Sequence, residues 1–146
     1  TPIILKISPD ISDNNISELA HIVIEQKIDG VVLTNTTIGN RNDLRSKFKE
    51  EMGGLSGFPL QNTSNIIIQK FYKRLGDKIP IIGAGGVSDG KSAYEKIKSG
   101  ASLVQLYTSF VYEGPYVANK INEELEDLLM KDGFQSLKEA VGADCI

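Results

Sequence analysis

The sequence lacks the residues that several classes of site and partner require. One cysteine, Cys145, excludes an internal disulfide, and the single histidine, His21, leaves no cluster of Cys and His that could bind a metal ion. A total of 16 Lys and Arg against 19 Asp and Glu gives a net charge of −3, so there is no basic excess to bind nucleic acid. The longest apolar runs, such as 31–33 and 66–68, are far shorter than the ~20 residues that cross a bilayer. We therefore expect no metal site, no nucleic-acid partner and no membrane span.

The start of the chain also lacks familiar features. Thr1 stands where an initiator Met is expected, and neither a basic leader nor the apolar core of a signal peptide follows it. The composition, 40% hydrophobic and 24% charged, is typical of one globular domain. We expect a single segment, 1–146, that belongs to a reducing compartment and has been taken from a longer protein.

Four short segments rich in Val, Ile and Leu predict buried parallel strands, because each is too short for a helix and ends in polar or Gly residues. They are 3–7, 30–35, 80–86 and 103–108. Apolar residues with helical spacing lie between and after them, at Ile16, Leu19, Ala20 and Val23, at Ile67, Phe71 and Leu75, at Ala93 and Ile97, and at Val117, Ile121, Leu125 and Leu128. Helix starts are predicted at Ser12 or Asp13, at Ser88 or Asp89, and at Pro115.

This alternation of strand and helix predicts an α/β fold with right-handed crossovers and a functional edge at the C-terminal ends of the strands. Four βα units are half of an eight-stranded TIM (β/α)8 barrel, and a long amphipathic helix ends the chain as it would end the last unit. We therefore predict the C-terminal half of a TIM barrel.

The connection 36–60 is longer than the usual loop of a compact α/β domain, and long loops of this kind are usually functional. Its basic residues are interpreted as a solvated surface; they are Arg41, Arg45, Lys47 and Lys49. The run Gly53-Gly54-Leu55-Ser56-Gly57 indicates either a close approach of the backbone to a ligand or a simple flexible turn.

The Gly-rich segment 83–92 fits three kinds of anion site, since glycines between a strand and a helix free backbone N–H groups at the helix N-terminus. Gly85-x4-Gly90-Lys91-Ser92 matches a nucleoside-triphosphate loop, but no apolar strand ends directly in the Asp that would hold Mg²⁺, the nearest being Asp10. A dinucleotide fingerprint fails at Ser88. The third interpretation, which we favour, is a phosphate site shared with the next strand end, 105–108, as in the last two units of TIM barrels.

Five segments resemble the dihydroorotate dehydrogenase family in order and spacing. They are Lys-Ile-Ser-Pro-Asp at 6–10, Thr-Asn-Thr-Thr at 34–37, Gly-Gly-Leu-Ser-Gly-Phe-Pro-Leu at 53–60, Ile-Ile-Gly-Ala-Gly-Gly-Val-Ser at 81–88 and Gly-Ala-Ser-Leu-Val-Gln-Leu-Tyr-Thr at 100–108. The Leu-Tyr-Thr ending, the Gly-Pro at 114–115 and Glu-Ala-Val-Gly-Ala-Asp at 139–144 are more similar to the membrane-associated, quinone-using class than to the soluble class.

The resemblance implies a flavin mononucleotide (FMN) enzyme of pyrimidine biosynthesis that oxidises dihydroorotate to orotate and reduces a quinone. It also implies a peripheral protein of the bacterial or mitochondrial inner membrane, attached through an N-terminal segment that this chain does not contain. The implied cofactor-binding residues are Lys6, Thr34, Gly57, Gly85, Gly86, Tyr107 and Thr108, and the implied substrate-binding residues are Asn35 and Thr36. Four of these, Gly85, Gly86, Tyr107 and Thr108, form what we call the predicted phosphate grip.

Other residues receive weaker interpretations. Ser56 either orients groups of the site or only forms a turn, and the Tyr107 side chain either contacts the ligand or only packs. In the family interpretation Lys91 and Ser92 are ordinary residues of a first helical turn. His21 is expected at the surface or in packing, and Cys145 is treated as incidental.

The resemblance assigns the catalytic base, a serine, to the first half of the barrel, outside this chain. We therefore expect the fragment alone to be inactive, with open strand edges and an apolar sheet face that the N-terminal half or self-association would cover. Two alternatives stay open at this stage: a non-catalytic half-barrel that binds a phosphate ligand, and a nucleotide hydrolase with a triphosphate loop.

Overall fold

A computed structural model describes residues 1–39, 41–42 and 44–145. In this part of the chain a single sheet of four parallel strands has the order β1-β2-β3-β4. The strands are β1 (Ile4–Ile7), β2 (Gly30–Leu33), β3 (Ile81–Ala84) and β4 (Leu103–Gln105). All four predicted strands are present, but each is shorter than its apolar segment. The last three end two or three residues early, because Thr34, Gly85 and Leu106 already belong to the loops above the sheet.

Six α-helices occur in the described ranges, and two of their starts follow the predicted capping signals. They are α1 (Asp13–Glu25), α2 (Gln61–Leu75), α3 (Gly90–Lys98), α4 (Thr108–Glu113), α5 (Val117–Lys131) and α6 (Leu137–Ala140). Ser12 caps α1 by accepting the N–H of Asn15, and Asp89 caps α3 with a complete capping box. The third start is different: α5 begins at Val117, two residues beyond Pro115. The six-residue α4 was not predicted, since it is too short to show a helical period.

The sequential strand order places the crossover helices on one face of the sheet, because right-handed connections that always step in the same direction return on the same side. Side chains from that face and from α1 and α2 form the first core cluster, which includes Ile16, Val23, Val31, Leu33, Ile68 and Phe71. The register aligns Lys6, Val32, Ile82 and Leu103 in one row on the opposite face. On this face Leu103 is 58% exposed and Ile4 is 50% exposed, so the helices leave it uncovered.

A second core cluster joins α3 to the C-terminal helices. Ala93, Tyr94 and Ile97 of α3 pack against Ile121 and neighbouring residues of α5. The Tyr94 hydroxyl donates to Asp132 Oδ2 at 2.7 Å, and burial together with this carboxylate raises the tyrosine pKa.

His21 and Cys145, to which the sequence assigned no function, lie outside the site. His21 is exposed on α1, with its Nε2 atom 3.9 Å from Glu25 Oε2. Cys145 is half-buried, and its thiol donates to the carbonyl of Ser99 at 3.2 Å. Within the described ranges, no helix has the length and apolar character needed to span a membrane.

Candidate functional site at the C-terminal ends of the strands

A cleft of about 500 Å³ lies at the C-terminal ends of the strands and collects the residues singled out above. It is lined by all nine predicted cofactor- and substrate-binding residues: Lys6, Thr34, Asn35, Thr36, Gly57, Gly85, Gly86, Tyr107 and Thr108. Ser56, Phe58, Leu60, Ser109, Tyr112 and Glu113 also contribute to the lining. Parallel strands place their carboxyl ends at one edge, which explains how segments far apart in sequence meet here.

The end of β2 forms the floor of the cleft. The Thr34 N–H donates to the carbonyl of Ala84 at 2.9 Å, and the Asn35 N–H donates to the carbonyl of Ile7 at 2.9 Å, so both neighbouring strands hold this segment. The Thr34 side chain is 3% exposed, and its hydroxyl oxygen has no hydrogen-bond partner among the described residues. A buried hydroxyl without a partner is costly, so its presence in a cleft indicates a place for a ligand group.

The long connection 36–60 folds back on itself as an arm beside the cleft. Thr37 and Leu55 form an antiparallel bridge, with their N–H groups donating at 3.1 and 2.7 Å. The Asp10 carboxylate accepts from the Thr37 hydroxyl and, at 2.8 Å, from the Ile38 N–H. Asp10 therefore fixes the start of the arm through hydrogen bonds. This role is unrelated to the Mg²⁺ site considered from the sequence.

Arg41 is partly exposed and does not line the cleft, and its side chain binds within the arm. Its guanidinium donates to the carbonyls of Lys49 at 3.2 Å, of Glu51 at 2.6 Å and of Gly53. A planar guanidinium carries several N–H groups in a fixed fork, which suits it to gather successive carbonyls of a turn. Arg41 thereby links residues 49, 51 and 53 of the arm. Sequence reasoning missed it because the acceptors are backbone atoms, which leave no signal in the sequence.

The arm reaches the end of β4 through Ser56 and Gly57. The Thr108 hydroxyl donates to Ser56 Oγ at 3.1 Å. Gly57 has φ 78°, and a Cβ atom placed there would lie 3.1 Å from Thr108 Cγ2. Gly57 is therefore required both for its backbone conformation and for the close approach of the arm to Thr108.

The glycines after β3 form a tight turn packed against the start of α2. Gly85 and Gly86 have φ 107° and 76°, and a Cβ atom at Gly86 would lie 2.5 Å from Gln61 Cβ. The turn is joined to α4 by Ser109, whose buried hydroxyl donates to the Val87 carbonyl at 2.7 Å. Sequence reasoning missed Ser109 because α4 itself was not predicted.

Tyr107 stands at the rim of the cleft between β4 and α4. Its side chain is 82% exposed, so within the described part of the chain it is not a packing residue of a strand. A contact between the Tyr107 ring and a ligand stays a prediction.

The start of α3 cannot act as a triphosphate loop, because its donors are already used. The Ser92 N–H donates to Asp89 Oδ1 at 2.7 Å, and the Gly90 N–H donates to Glu124 Oε2 at 2.6 Å. The Ser92 hydroxyl donates to the Asp89 carbonyl at 2.9 Å. Two carboxylates thus occupy the position of an anion, and Lys91 is exposed outside the cleft. The triphosphate-loop alternative is wrong.

With the cleft described, comparison with known proteins decides between the remaining interpretations. The family model described as dihydroorotate dehydrogenase matches residues 1–129. The chain belongs to the dihydroorotate dehydrogenase family.

Relatives at 41–47% identity carry the name dihydroorotate dehydrogenase (quinone). The mitochondrial protein of Oryza sativa subsp. japonica is 44% identical over 144 residues, which are 98% of this chain and 31% of that protein. The protein of Natronomonas pharaonis is 47% identical over 144 residues, which are 99% of this chain and 41% of that protein. The chain thus spans between about a third and two fifths of the length of these relatives.

Solved structures from the same family match the fold closely. The ligand-free DHODH of Eimeria tenella has a TM-score of 0.93 at 40% identity over 97% of this chain and 39% of that chain. The complex of the Eimeria tenella protein with ferulenol has a TM-score of 0.94 at 39% identity over 98% of this chain and 38% of that chain. The predicted fold class is confirmed: the four parallel βα units are half of a TIM barrel.

Membership of this family implies a flavin cofactor in general, and the chemistry of the cleft fits such a group. The orphaned Thr34 hydroxyl is a free hydrogen-bonding group on the floor, and Lys6 adds a positive charge to the lining. The positive-φ turn at Gly85 and Gly86 supplies backbone without side chains beside the cleft. Hydroxyl, ammonium and bare backbone N–H groups are the donors that a phosphorylated, carbonyl-rich cofactor requires.

Proposed function

We propose that this chain is the part of a quinone-dependent dihydroorotate dehydrogenase that binds the phosphate and one edge of FMN and contributes to the dihydroorotate site. One observation carries the proposal: all nine residues that the family resemblance implies line one cleft. Its floor holds the buried Thr34 hydroxyl, which has no hydrogen-bond partner in the part of the chain that the structure describes. The identity of the relatives over nearly the whole chain supports it. They give no support to a non-catalytic half-barrel.

The predicted phosphate grip is assigned to the phosphate of FMN. The N–H groups of Gly85 and Gly86 donate to the phosphate oxygens, and the Thr108 hydroxyl supplies a further donor beside them. Tyr107 also lines the cleft and would donate its backbone N–H to the same group. Ser56 positions Thr108 by accepting its hydroxyl hydrogen until the ligand competes for it.

The floor of the cleft is assigned to the ring system. Thr34 donates its hydroxyl hydrogen to the flavin edge, and Gly57 lets the arm approach it. Lys6 lines the cleft and would place its positive charge beside the pyrimidine edge, where it would favour a negatively charged ring. When bound, FMN accepts the electrons of dihydroorotate and passes them to the quinone.

The substrate side of the cleft is assigned to Asn35 and Thr36. The amide of Asn35 offers two donors and one acceptor, which suits the paired N–H and C=O groups of orotate. Its Oδ1 atom accepts the N–H of Thr36 at 3.0 Å, which orients the amide and leaves its NH₂ group free to donate. The proposal places the proton-abstracting serine in the barrel half outside this chain, so that the 146 residues alone do not turn over.

The proposed setting follows from the quinone acceptor. A quinone dissolves in the membrane, and the relatives are named for its use, one of them as a mitochondrial protein. We therefore place the full-length enzyme at the periphery of a bacterial or mitochondrial inner membrane, attached through a segment outside this chain.

The proposal is tested on the full-length protein with Lys6→Ala and, as the matched control, Lys91→Ala. Lys6 lines the cleft and Lys91 is exposed outside it, so the two variants remove the same charge at different places. We expect the wild-type protein to show a flavin absorption spectrum that dihydroorotate bleaches without oxygen. Lys6→Ala should slow this bleaching by about 10²-fold, the usual effect of losing one preorganised charge partner. Lys91→Ala should change neither the spectrum nor the rate.

Two results would contradict the proposal. One is a full-length protein that binds no FMN and oxidises no dihydroorotate. The other is a Lys91→Ala variant that loses activity while Lys6→Ala keeps it, because the chemistry would then belong to the start of α3.

A further inference from the structure

A fully buried lysine lies beneath the cleft and has no role in the proposed chemistry. Lys96 of α3 is 0% exposed, and its Nζ atom lies 3.1 Å from Ser64 Oγ and 2.9 Å from Asn65 Oδ1. Its stem packs close to the sheet: a Cβ atom placed at Gly83 of β3 would lie 3.1 Å from Lys96 Cδ. Burying an amine is costly, so a hydrophobic residue would serve packing better at this position. The amine therefore needs an explanation other than stability.

The direction of the hydrogen bonds links this amine to the cleft. The Ser64 hydroxyl donates its single hydrogen to the Ala84 carbonyl at 2.6 Å, so it must accept from Lys96. Both the ammonium and the neutral amine have enough N–H groups for Ser64 and Asn65. As an ammonium, which has no lone pair to accept a hydrogen bond, Lys96 keeps the Ser64 hydroxyl pointing at Ala84.

The Ala84 carbonyl is the junction of this chain of bonds. It also accepts the Thr34 N–H at 2.9 Å, and it immediately precedes the Gly85–Gly86 turn of the predicted phosphate grip. The same turn packs directly on α2: a Cβ atom at Gly85 would lie 3.4 Å from Ser64 Cβ. A change in the orientation of Ser64 is therefore transmitted to the peptide that begins the turn.

We propose that Lys96 is a positioning residue for the cofactor phosphate, acting through Ser64 and the Ala84 carbonyl on the N–H groups of Gly85 and Gly86. This inference rests on the proposed function, since it assigns Lys96 to the FMN phosphate. It goes further by naming a buried residue that does not line the cleft.

The test measures the affinity of the FMN-free, full-length protein for FMN and for riboflavin, which lacks the phosphate. Lys96→Met keeps the length of the side chain and removes the amine, and Ser64→Ala breaks the same chain of bonds one step later. We expect each variant to bind FMN about tenfold more weakly, the effect of one well-placed hydrogen bond. The loss of affinity for riboflavin should be smaller, since it has no phosphate and senses Ala84 only through the Thr34 N–H. The double variant should lose no more than the single variants, because both act through one path.

Tyr94→Phe is the matched control. It removes another hydrogen bond of α3, the partly buried one to Asp132, whose partner lies outside the path through Ser64 and Ala84. This variant should lower the melting temperature without changing either affinity. Lys96→Met should show the opposite pattern. Its affinity for FMN should fall, whereas its melting temperature should stay the same or rise, because an apolar group replaces a buried amine.

The outcomes separate this inference from the proposed function. A wild-type protein that binds no FMN overturns both. Two results overturn only the role of Lys96, provided that the wild-type protein binds FMN. In one, Lys96→Met and Ser64→Ala bind FMN as tightly as the wild type. In the other, both variants lose the same factor of affinity for FMN and for riboflavin. If Lys96→Met does not fold, Ser64→Ala decides by the same two affinities.

Discussion

At the scale of single residues, ligand binding in the cleft depends on polar groups that make no hydrogen bond within the described residues of the folded chain. Thr34 is the sharpest case, because its hydroxyl is buried beside Ala84 and has no partner in the described residues. Ser109 is the contrasting case: its hydroxyl is also buried but donates to Val87 at 2.7 Å. The first hydroxyl costs stability until a ligand binds it, and the second contributes to stability at all times.

This contrast predicts opposite effects for two substitutions in the FMN-free protein. Thr34→Val keeps the shape and removes the unpaired hydroxyl, so the free energy of unfolding should stay equal or rise by about 1 kcal/mol. Ser109→Ala removes a satisfied hydroxyl and should lower the free energy of unfolding by about 1 kcal/mol. Chemical denaturation measures both.

FMN titration of Thr34→Val should show about tenfold weaker binding, the value of one hydrogen bond. A Thr34→Val variant that is destabilised yet binds FMN normally would mean that the hydroxyl acts within the protein.

At the scale of elements, helix α3 is held to its neighbours by polar groups that are unusual for a core. At the start of α3, the Gly90 N–H donates to Glu124 of α5. Further along α3, Lys96 donates to Ser64 and Asn65 of α2. Burial lowers the pKa of Lys96 from 10.5 to about 7, while the nearby Glu95 carboxylate acts in the opposite direction. The folded chain therefore releases the Lys96 proton as the pH rises above about 7, whereas the unfolded chain keeps it up to about pH 10.5.

This pKa predicts how stability changes with pH. Between pH 7 and 10.5 the unfolded chain holds a proton on Lys96 that the folded chain releases, so the folded state gains stability as pH rises through this range. Relative to Lys96→Met, the free energy of unfolding of the wild-type protein should rise by up to about 1.4 kcal/mol per pH unit above pH 7. Denaturation of both FMN-free proteins between pH 6 and 9 measures it. A constant difference would show that the lysine keeps its proton in the folded state.

At the scale of the whole molecule, the sheet is covered on one face only. Lys6, Val32, Ile82 and Leu103 form a row on the other face, and among the described residues β1 and β4 each have one unpaired edge. In a closed barrel the remaining strands would pair with these edges and the row would be interior. The 146 residues therefore present half of an interior to solvent.

The open face predicts that the 146-residue chain, prepared by itself, self-associates. Exposed strand edges next to apolar side chains pair readily with other copies. Sedimentation should show a mass that rises with concentration, and Leu103→Lys should reduce it because Leu103 is 58% exposed on this face. Lys91→Ala, outside the face, should not. A monodisperse monomer with one cooperative thermal transition would contradict this prediction.

Local patterns in the sequence determined much of this protein by themselves. The apolar segments specified four strands, and Ser12 and Asp89 specified two helix starts. The positions of Thr34, Gly85 and Thr108 at or near the ends of those segments specified which edge carries the cleft. These features depend on neighbours within a few residues, which periodicity and capping rules describe.

Only the tertiary structure decided which polar groups are used and which stay free. Arg41 looked like a surface charge and binds backbone carbonyls, and Gly90 looked like part of an anion loop but its N–H donates to Glu124. Lys96 received no prediction from the sequence and is fully buried. In each case the partner is distant in sequence or is a backbone atom, so no local pattern records it. The orphaned hydroxyl of Thr34 was equally invisible, because a missing partner is a property of the packed fold and not of the residue.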